Sequence, residues 1–577
     1  MQRHFLYMCN LFMPLYSLGR ISANSARLLL LALLAISGKS NASSFISPVD
    51  QDAITQQQKD LLQQAQQQRD DIRNSITLSP LATPTSDDEE SLCHPIHQIQ
   101  FEGAENLSAS VQQALSKPYL SRCLTVGKIN ELVRKVSNTY IEKGYVTSQA
   151  GLKEQDLSTS ILTITVTEGK VGSILLDDET PLALKMAFPY MVGKPLNLRD
   201  IEQGMEQLNR LPSQQITIDI QPAKQPGYSD VILKRTASRL PVNASLGLDN
   251  SGQKNTGKEQ INVTLGLDNL LHLADLWSIS ANRNSDFRHN HQNWNVTSGI
   301  TIPYGYWSFD YQYARNSSFQ MISVGTDRYR HESKGQTHQL KANRTLYRDS
   351  KQKLGLNIGL VRRQTSNIAA GVKLSVSSPT LNAVSLGANY STVLAGGYLT
   401  FNPTLSHGLS IWGATKDNSG DRNALRSQFR KFSLSSSYFI PVTEDIYYLT
   451  SLYGQFTPDN LYAGERLSLG GQYSVRGFKE QNLIGNNGGY WRNELNWKLA
   501  RLPLLGELSL NGALDTGWLE NNKKRQIEGG NVTGTSLGIS LNRNRMNQRV
   551  TLGKPLIYPN HLKPDHWVIY WSASLSF

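Results

Sequence analysis

The residue types that carry catalysis are present but not arranged for it. The 11 His form no HExxH pair, no Gly-x-Ser-x-Gly turn offers a nucleophile, and no phosphate-binding loop precedes a Lys. Catalytic residues, a metal and a resident cofactor are all expected to be none. Three features with definite chemistry remain. Arg476 lies in "SVRGFKE" (Ser474–Glu480), between Val475 and the pair Gly477 and Phe478. A guanidinium in such a place can grip a carboxylate through two parallel hydrogen bonds. Glu494 in "YWRNELNWKL" and Asp515 in "ELSLNGALDTGWL" are carboxylates set in alternating segments. Cys93 and Cys123 are the two cysteines left once Cys9 departs with a leader, and an even pair in an exported chain reads as a disulfide.

Several kinds of element must position these residues. Arg20 and Arg27 precede "LLLLALLAI" (Leu28–Ile36), followed by the small residues Ser40 and Ala42. This predicts a secretory signal over residues 1–42, with an apolar run too short to be a membrane span. Residues 43–77 hold a Gln-rich stretch with sparse apolar positions, Ile54, Leu61, Leu62, Ala65 and Ile72. A helix that polar cannot sit in an apolar core, but it suits a water-filled lumen. Residues 78–92 read as a linker, with prolines and an acidic run. Residues 93–168 and 169–238 repeat one plan: a strand, helices, then strands. In the first copy "IHQIQFEG" and "ILTITVTEG" alternate, and Ile129, Leu132, Val133, Val136 and Tyr140 have helical spacing. Each copy reads as a binding platform whose edge strand can accept a partner's strand.

From residue 239 to residue 577 the period changes to two. Val242, Ala244, Leu246 and Leu248 oppose polar neighbours, as do Trp307, Phe309, Tyr311 and Tyr313, then Leu354, Leu356, Ile358 and Leu360. About 16 such segments, with aromatic residues near their ends, predict a transmembrane β-barrel of 16 antiparallel strands with a polar interior. A water-soluble barrel would be apolar inside. The last segment, "WVIYWSASLSF", alternates to the terminal aromatic Phe577. Periodicity places Arg492, Glu494, Asn511 and Asp515 in the lumen, with Trp491, Leu495, Leu510 and Leu514 outward. The net charge of +12 is uneven, roughly +14 in the barrel half and roughly −6 over residues 43–238. No nucleic-acid motif accompanies the basic half, so lipid or a pore lining is expected instead, and no nucleic acid.

The order of these parts resembles the outer-membrane transporters of two-partner secretion. The sharpest matches are "CLTVGKINELVRKVSNTYIEKGYVTSQ", "LTITVTEGKV", "VRGF" and "LDTGW". The first, with Cys93 upstream, is most similar to the haemolysin-secretion and contact-dependent-inhibition branch. The resemblance implies that the two modules are POTRA domains and that residues 43–77 hold a plug helix. It implies that the loop after the eleventh strand folds inward with Val475, Arg476, Gly477 and Phe478 at its tip, and that Arg476 pairs with Asp515 and Glu494. Phe577 would then belong to the signal read by the barrel-assembly machinery. The implied partners are a large secreted exoprotein with an N-terminal secretion domain and outer-membrane lipid, and the implied site of action is the bacterial outer membrane, with the POTRA domains in the periplasm. Three other readings stay open at this point: a factor that inserts other outer-membrane proteins, a plugged porin, and an outer-membrane enzyme.

Overall fold

The computed structural model describes residues 46–76, 81, 93–324, 327–417, 420–421 and 423–577. The expected signal at 1–42 and, Leu81 aside, the expected linker at 78–92 lie outside them.

The first element, α1 (Pro48–Arg73), starts where local chemistry allows. Ser47 caps it by accepting from the Asp50 amide, Pro48 needs no partner for its missing N–H, and Asp50 and Arg73 complement the helix dipole at the two ends.

Two α/β modules follow. The first holds α2 (Ala109–Ser116) and α3 (Val126–Glu142), the second α4 (Leu182–Ala187) and α5 (Leu198–Asn209). Their sheets share one topology. In the first, Gln98–Glu102 runs parallel to Ile161–Thr167, which runs antiparallel to Gln149–Gly151. In the second, Lys170–Leu176 runs parallel to Tyr228–Ser238, which runs antiparallel to Gln214–Pro222. The stretch "IHQIQFEG", expected as one strand, is split at His97. Cys93–Ile96 pairs with Arg122–Thr125, whereas Gln98–Glu102 turns to the central strand. The Cys93–Cys123 disulfide ties the first of these pairs, with Cα atoms 5.3 Å apart. Ile129, Leu132, Val136 and Tyr140 of α3 pack on Leu162, Ile164 and Val166, giving the first module its own core. A second core gathers Ile201 and Leu208 of α5 with Val171, Val231 and Leu233.

Barrel strands are numbered β1 to β16 in chain order, from β1 (Val242–Asp249) to β16 (Val568–Ser576). Among the described residues sixteen antiparallel strands close on themselves, β16 pairing with β1. That seam is short, running from Ser572 opposite Asp249 to Ser576 opposite Ser245. The period-2 pattern maps onto the wall. On β12 (Gly488–Leu502), Trp491, Leu495 and Trp497 are about half exposed, while Arg492 and Asn496 are buried on the lumenal side. No described helix is long and apolar enough to cross a membrane.

The interior departs from the expected uniform polarity. Tyr453, Tyr490, Leu519 and Val532 point inward and are buried against Leu467, Leu469, Val475, Phe478 and Leu483 of the loop between β11 (Ile446–Phe456) and β12. A loop folded inside the barrel brings its own apolar side chains, and the wall opposite them is apolar to match.

The second module is fastened to the turns at one barrel end. Gly305 donates to the Met186 carbonyl at 2.8 Å. Ser213 donates to Asp268 at 2.7 Å, and Arg210 to the Ala274 carbonyl at 3.1 Å. Ala274 is itself buried in the module's core.

Candidate functional site

The loop after β11 turns back into the lumen, and its tip is held by five successive strands. On β13 (Gly506–Leu519), Asp515 is fully buried and receives three donors from one residue. The Arg476 amide donates to it at 3.0 Å, Nε at 2.7 Å and Nη2 at 2.8 Å. This is the two-pronged guanidinium–carboxylate geometry, which fixes orientation as well as distance. Nη1 of Arg476 binds Glu494 on β12, and Nη2 reaches the Asn493 carbonyl at 3.5 Å. Removing one member would leave the other charge buried and uncompensated, a change of about 3–5 kcal/mol.

The remaining contacts use the backbone. Gly534 on β14 (Gly530–Arg543) lies so near the Arg476 carbonyl that a Cβ there would strike it. Gly477 has φ +99°, and a Cβ on it would come 2.6 Å from the Lys554 carbonyl of β15 (Met546–Ile557). Both its conformation and its surroundings therefore select glycine. The hydroxyl of Tyr570, on β16, donates to the Phe478 carbonyl. Val475 and Phe478 are fully buried in the lumenal apolar cluster. The structure thus brings together Val475, Arg476, Gly477, Phe478, Glu494 and Asp515. Sequence reasoning missed Tyr570, Gly534 and Gly553, whose backbone meets Gly477. The two glycines carried a modest signal, lumenal positions without the polar side chain usual there, and Tyr570 read as one more lumenal polar residue.

The lumenal helix is seated almost wholly by polar groups. Gln58 donates to the Ser468 carbonyl of the loop at 2.8 Å, Gln64 to Asn389 at 3.0 Å and Gln68 to Asn402 at 2.9 Å. Arg69 stacks over Phe439 at 4.5 Å. Only a few apolar residues of the helix, Val49, Ile54 and Ile72 among them, are buried. Between the helix, the loop and the wall, a cavity of about 240 Å³ is lined by Arg69, Arg476, Arg492, Glu494 and Arg549.

At the helix's carboxyl end lies a largely buried ionic cluster that no sequence pattern revealed, with Arg348 and Glu202 buried and Asp71, Glu206 and Lys353 partly so. Lys353, opening β7 (Gln352–Ala369), is 3.0 Å from Asp71 of α1 and 2.5 Å from Glu206 of α5. Arg348, closing β6 (Asp327–Arg348), is 2.5 Å from the same Glu206 and 3.5 Å from Glu202. Glu202 also takes Arg199 at 2.8 Å and accepts from the Ile76 amide at 2.7 Å. The lumenal helix, the second module and the wall thus share one set of charges.

No described group of His, Cys, Asp or Glu is arranged to hold a metal. Phe577 ends the chain on the outward face, 61 % exposed.

A sixteen-strand membrane barrel with an inward arginine loop, a lumenal helix and two tandem α/β modules defines a POTRA-type outer-membrane barrel protein. The haemolysin secretion/activation family ShlB/FhaC/HecB matches residues 227–541, a ShlB-type POTRA domain matches 94–169, and a further POTRA domain matches 170–222. The chain belongs to the ShlB/FhaC/HecB family. It is 40% identical to the outer membrane transporter CdiB of Dickeya dadantii over 538 residues, covering 93% of this chain and 96% of the other. It is 32% identical to the hemolysin transporter protein ShlB of Serratia marcescens, covering 83% and 85%. Among solved structures, CdiB from Escherichia coli superposes with a TM-score of 0.88 at 40% identity, covering 93% of this chain and all of that one. The barrel lies in the outer membrane, with the POTRA domains in the periplasm.

Proposed function

We infer that this chain exports a large partner protein across the outer membrane. The POTRA domains, proposed at 93–168 and 169–238, capture the partner as an extended chain, which the sheet edge at Gln214–Pro222 suits. The barrel then passes it outward without nucleotide hydrolysis, and folding outside supplies direction. The relatives named as transporters, two of them hemolysin transporters, support this reading, and the cargo proposed is a haemolysin, an adhesin or a contact-dependent toxin. The observation that carries it is the lumenal helix. It fills the pore yet is held by side-chain hydrogen bonds that water or a passing chain can replace, so leaving exposes little apolar surface. The pore is thus a two-state element whose balance a bound partner shifts. The Val475–Phe478 tip acts as the fixed brace against which the helix moves. Phe577 serves the barrel's own insertion by the assembly machinery.

The test is secretion of a candidate partner exoprotein co-expressed with this chain. Arg476→Ala and Asp515→Ala should each reduce its appearance in the medium at least about tenfold while the barrel stays in the membrane. Arg476→Lys should not restore it, because an ammonium cannot reproduce the two-pronged grip. Full export by all three variants would remove the brace from the mechanism.

A further inference from the structure

The outward face of the barrel changes character around its circumference. On β12, β13 and β14 the outward positions from Trp491 to Trp497, Leu508 to Trp518 and Asn531 to Leu541 carry no charge. On β5 (Trp307–Val324), β6 and β7 the middle rung is alike, Tyr311 opposing Leu340, which opposes Leu360, while at the periplasmic end Arg344 lies over Trp307 at 5.2 Å. Toward the extracellular end the same face turns basic. It presents Arg315 on β5, Arg328, Arg330 and Lys334 on β6, and Arg362 on β7, with Glu332 as the one carboxylate on these rungs. The alternation is anchored from inside, because the neighbouring Asn316 and Gly335 face Val49 of the lumenal helix.

The cations are too many for their carboxylate. Glu332 takes Arg330 at 2.7 Å and Lys334 at 3.6 Å. Arg330 also stacks on Phe319 at 4.0 Å, and Arg362 donates to the Trp412 carbonyl at 2.7 Å. Lys334 opposes Ser317 and Gln336 opposes Arg315, so Arg315 and Lys334 are diagonal neighbours on one face, about 7–8 Å apart at the backbone. Their long side chains can close on a single anion. Cations on a lipid-facing wall are costly at the midplane and tolerated near an interface. Here they begin at Arg315 and Arg362, above the Tyr311–Leu340–Leu360 rung toward the extracellular end, with Phe319 and Met321 interleaved among them.

We propose that this face binds a phosphorylated glycolipid of the outer leaflet, with Arg315, Lys334 and Arg330 on its sugar phosphates and its acyl chains along Tyr311, Leu340 and Leu360. Charge complementarity selects the headgroup, and the apolar rungs directly below select a lipid over a soluble anion. A lipid held there would fix the wall beside β5–β7 while leaving the seam between β16 and β1 free of it.

The full chain, purified in mild detergent, is titrated with bis-phosphorylated lipid A and weighed intact by native mass spectrometry. The same lipid after enzymatic dephosphorylation serves as the second probe. A one-to-one complex is expected with the phosphorylated lipid, with binding at least about tenfold weaker for the dephosphorylated one and for R315A/K334A. R315K/K334R should retain binding, and K524A, in the exposed segment between β13 and β14, should match the unaltered chain. Heat-modifiable migration on gels establishes that each variant barrel is folded. Equal affinity for both lipids, or undiminished binding by folded R315A/K334A, would overturn the proposal.

Discussion

Lys353 is the point at which the lumenal helix, the second POTRA domain and the wall meet, and the proposed plugging role makes a sharp prediction about gating there. At 3.0 Å and an effective dielectric near 20, the Asp71–Lys353 attraction is about 5 kcal/mol before solvation is counted. Desolvating both groups removes most of this, leaving on the order of 1.5–3 kcal/mol for a hydrogen bond between charged groups. Asp71→Asn keeps the shape and loses the charge. It should therefore move the plugged-to-open ratio roughly ten- to hundredfold toward open. The measurement is the open fraction of single channels reconstituted in a planar bilayer. Glu206→Gln should open the channel less, because Lys353 then turns wholly to Asp71. Lys353→Met should open it most, since Asp71 and Glu206 would face each other with the shared cation gone. An open fraction unchanged in Asp71→Asn, or Glu206→Gln exceeding it, would refute the reasoning.

Other perturbations follow from the same geometry. Gly477→Ala should loosen the loop tip by about 1–3 kcal/mol, through positive φ and the clash with the Lys554 carbonyl, lowering the temperature at which the barrel unfolds on a gel. Cys93→Ser with Cys123→Ser opens a loop spanning a separation of 30 residues. It should cost the first POTRA domain about 3 kcal/mol in the loop-entropy description, seen as earlier thermal unfolding that matches the reduced chain. On α3, hydrogen bonds from Lys128 and Lys135 hold the Glu131 carboxyl down to about 2. Its contribution is therefore present above pH about 4.5 and lost as pH falls toward 2. The Glu131 side chain is 26 % exposed and both of its lysine partners are more than half exposed, so Glu131→Gln should cost less than about 1 kcal/mol in pH-dependent unfolding.

What could be read from the chain was set by periodicity. A wall with lipid outside and water inside writes its two faces into alternate residues, so the strands around Trp491–Trp497 and the lumenal side of Asp515 were legible. The count of eleven segments before Val475 put the motif in one particular loop. The apolar lumenal cluster was not legible, because Leu469 and Leu483 lie in a segment without period, and only its fold inward tells why Tyr490 and Leu519 break the polar face. The ionic cluster was hidden for another reason. Asp71, Glu206 and Lys353 stand far apart in sequence, each reads as an ordinary surface charge, and only the docking of α5 beneath the barrel buries them together. The break at His97 was legible after all, because Ile96 and Ile99 stand three apart and the alternation slips at His97–Gln98.

The lumenal helix has a direction. Asp71, near its carboxyl end, meets Lys353 beside a periplasmic turn, whereas Asp52 accepts from Asn293 near the extracellular end of β4 (His291–Tyr304). The helix therefore climbs toward the outside as the numbering falls. The amino end of the described chain, with Ser47 and Val49 buried, lies inside a ring built by the carboxyl half of the same polypeptide. In topological terms the protein has drawn its own chain into that ring, and the two are joined at the periplasmic rim.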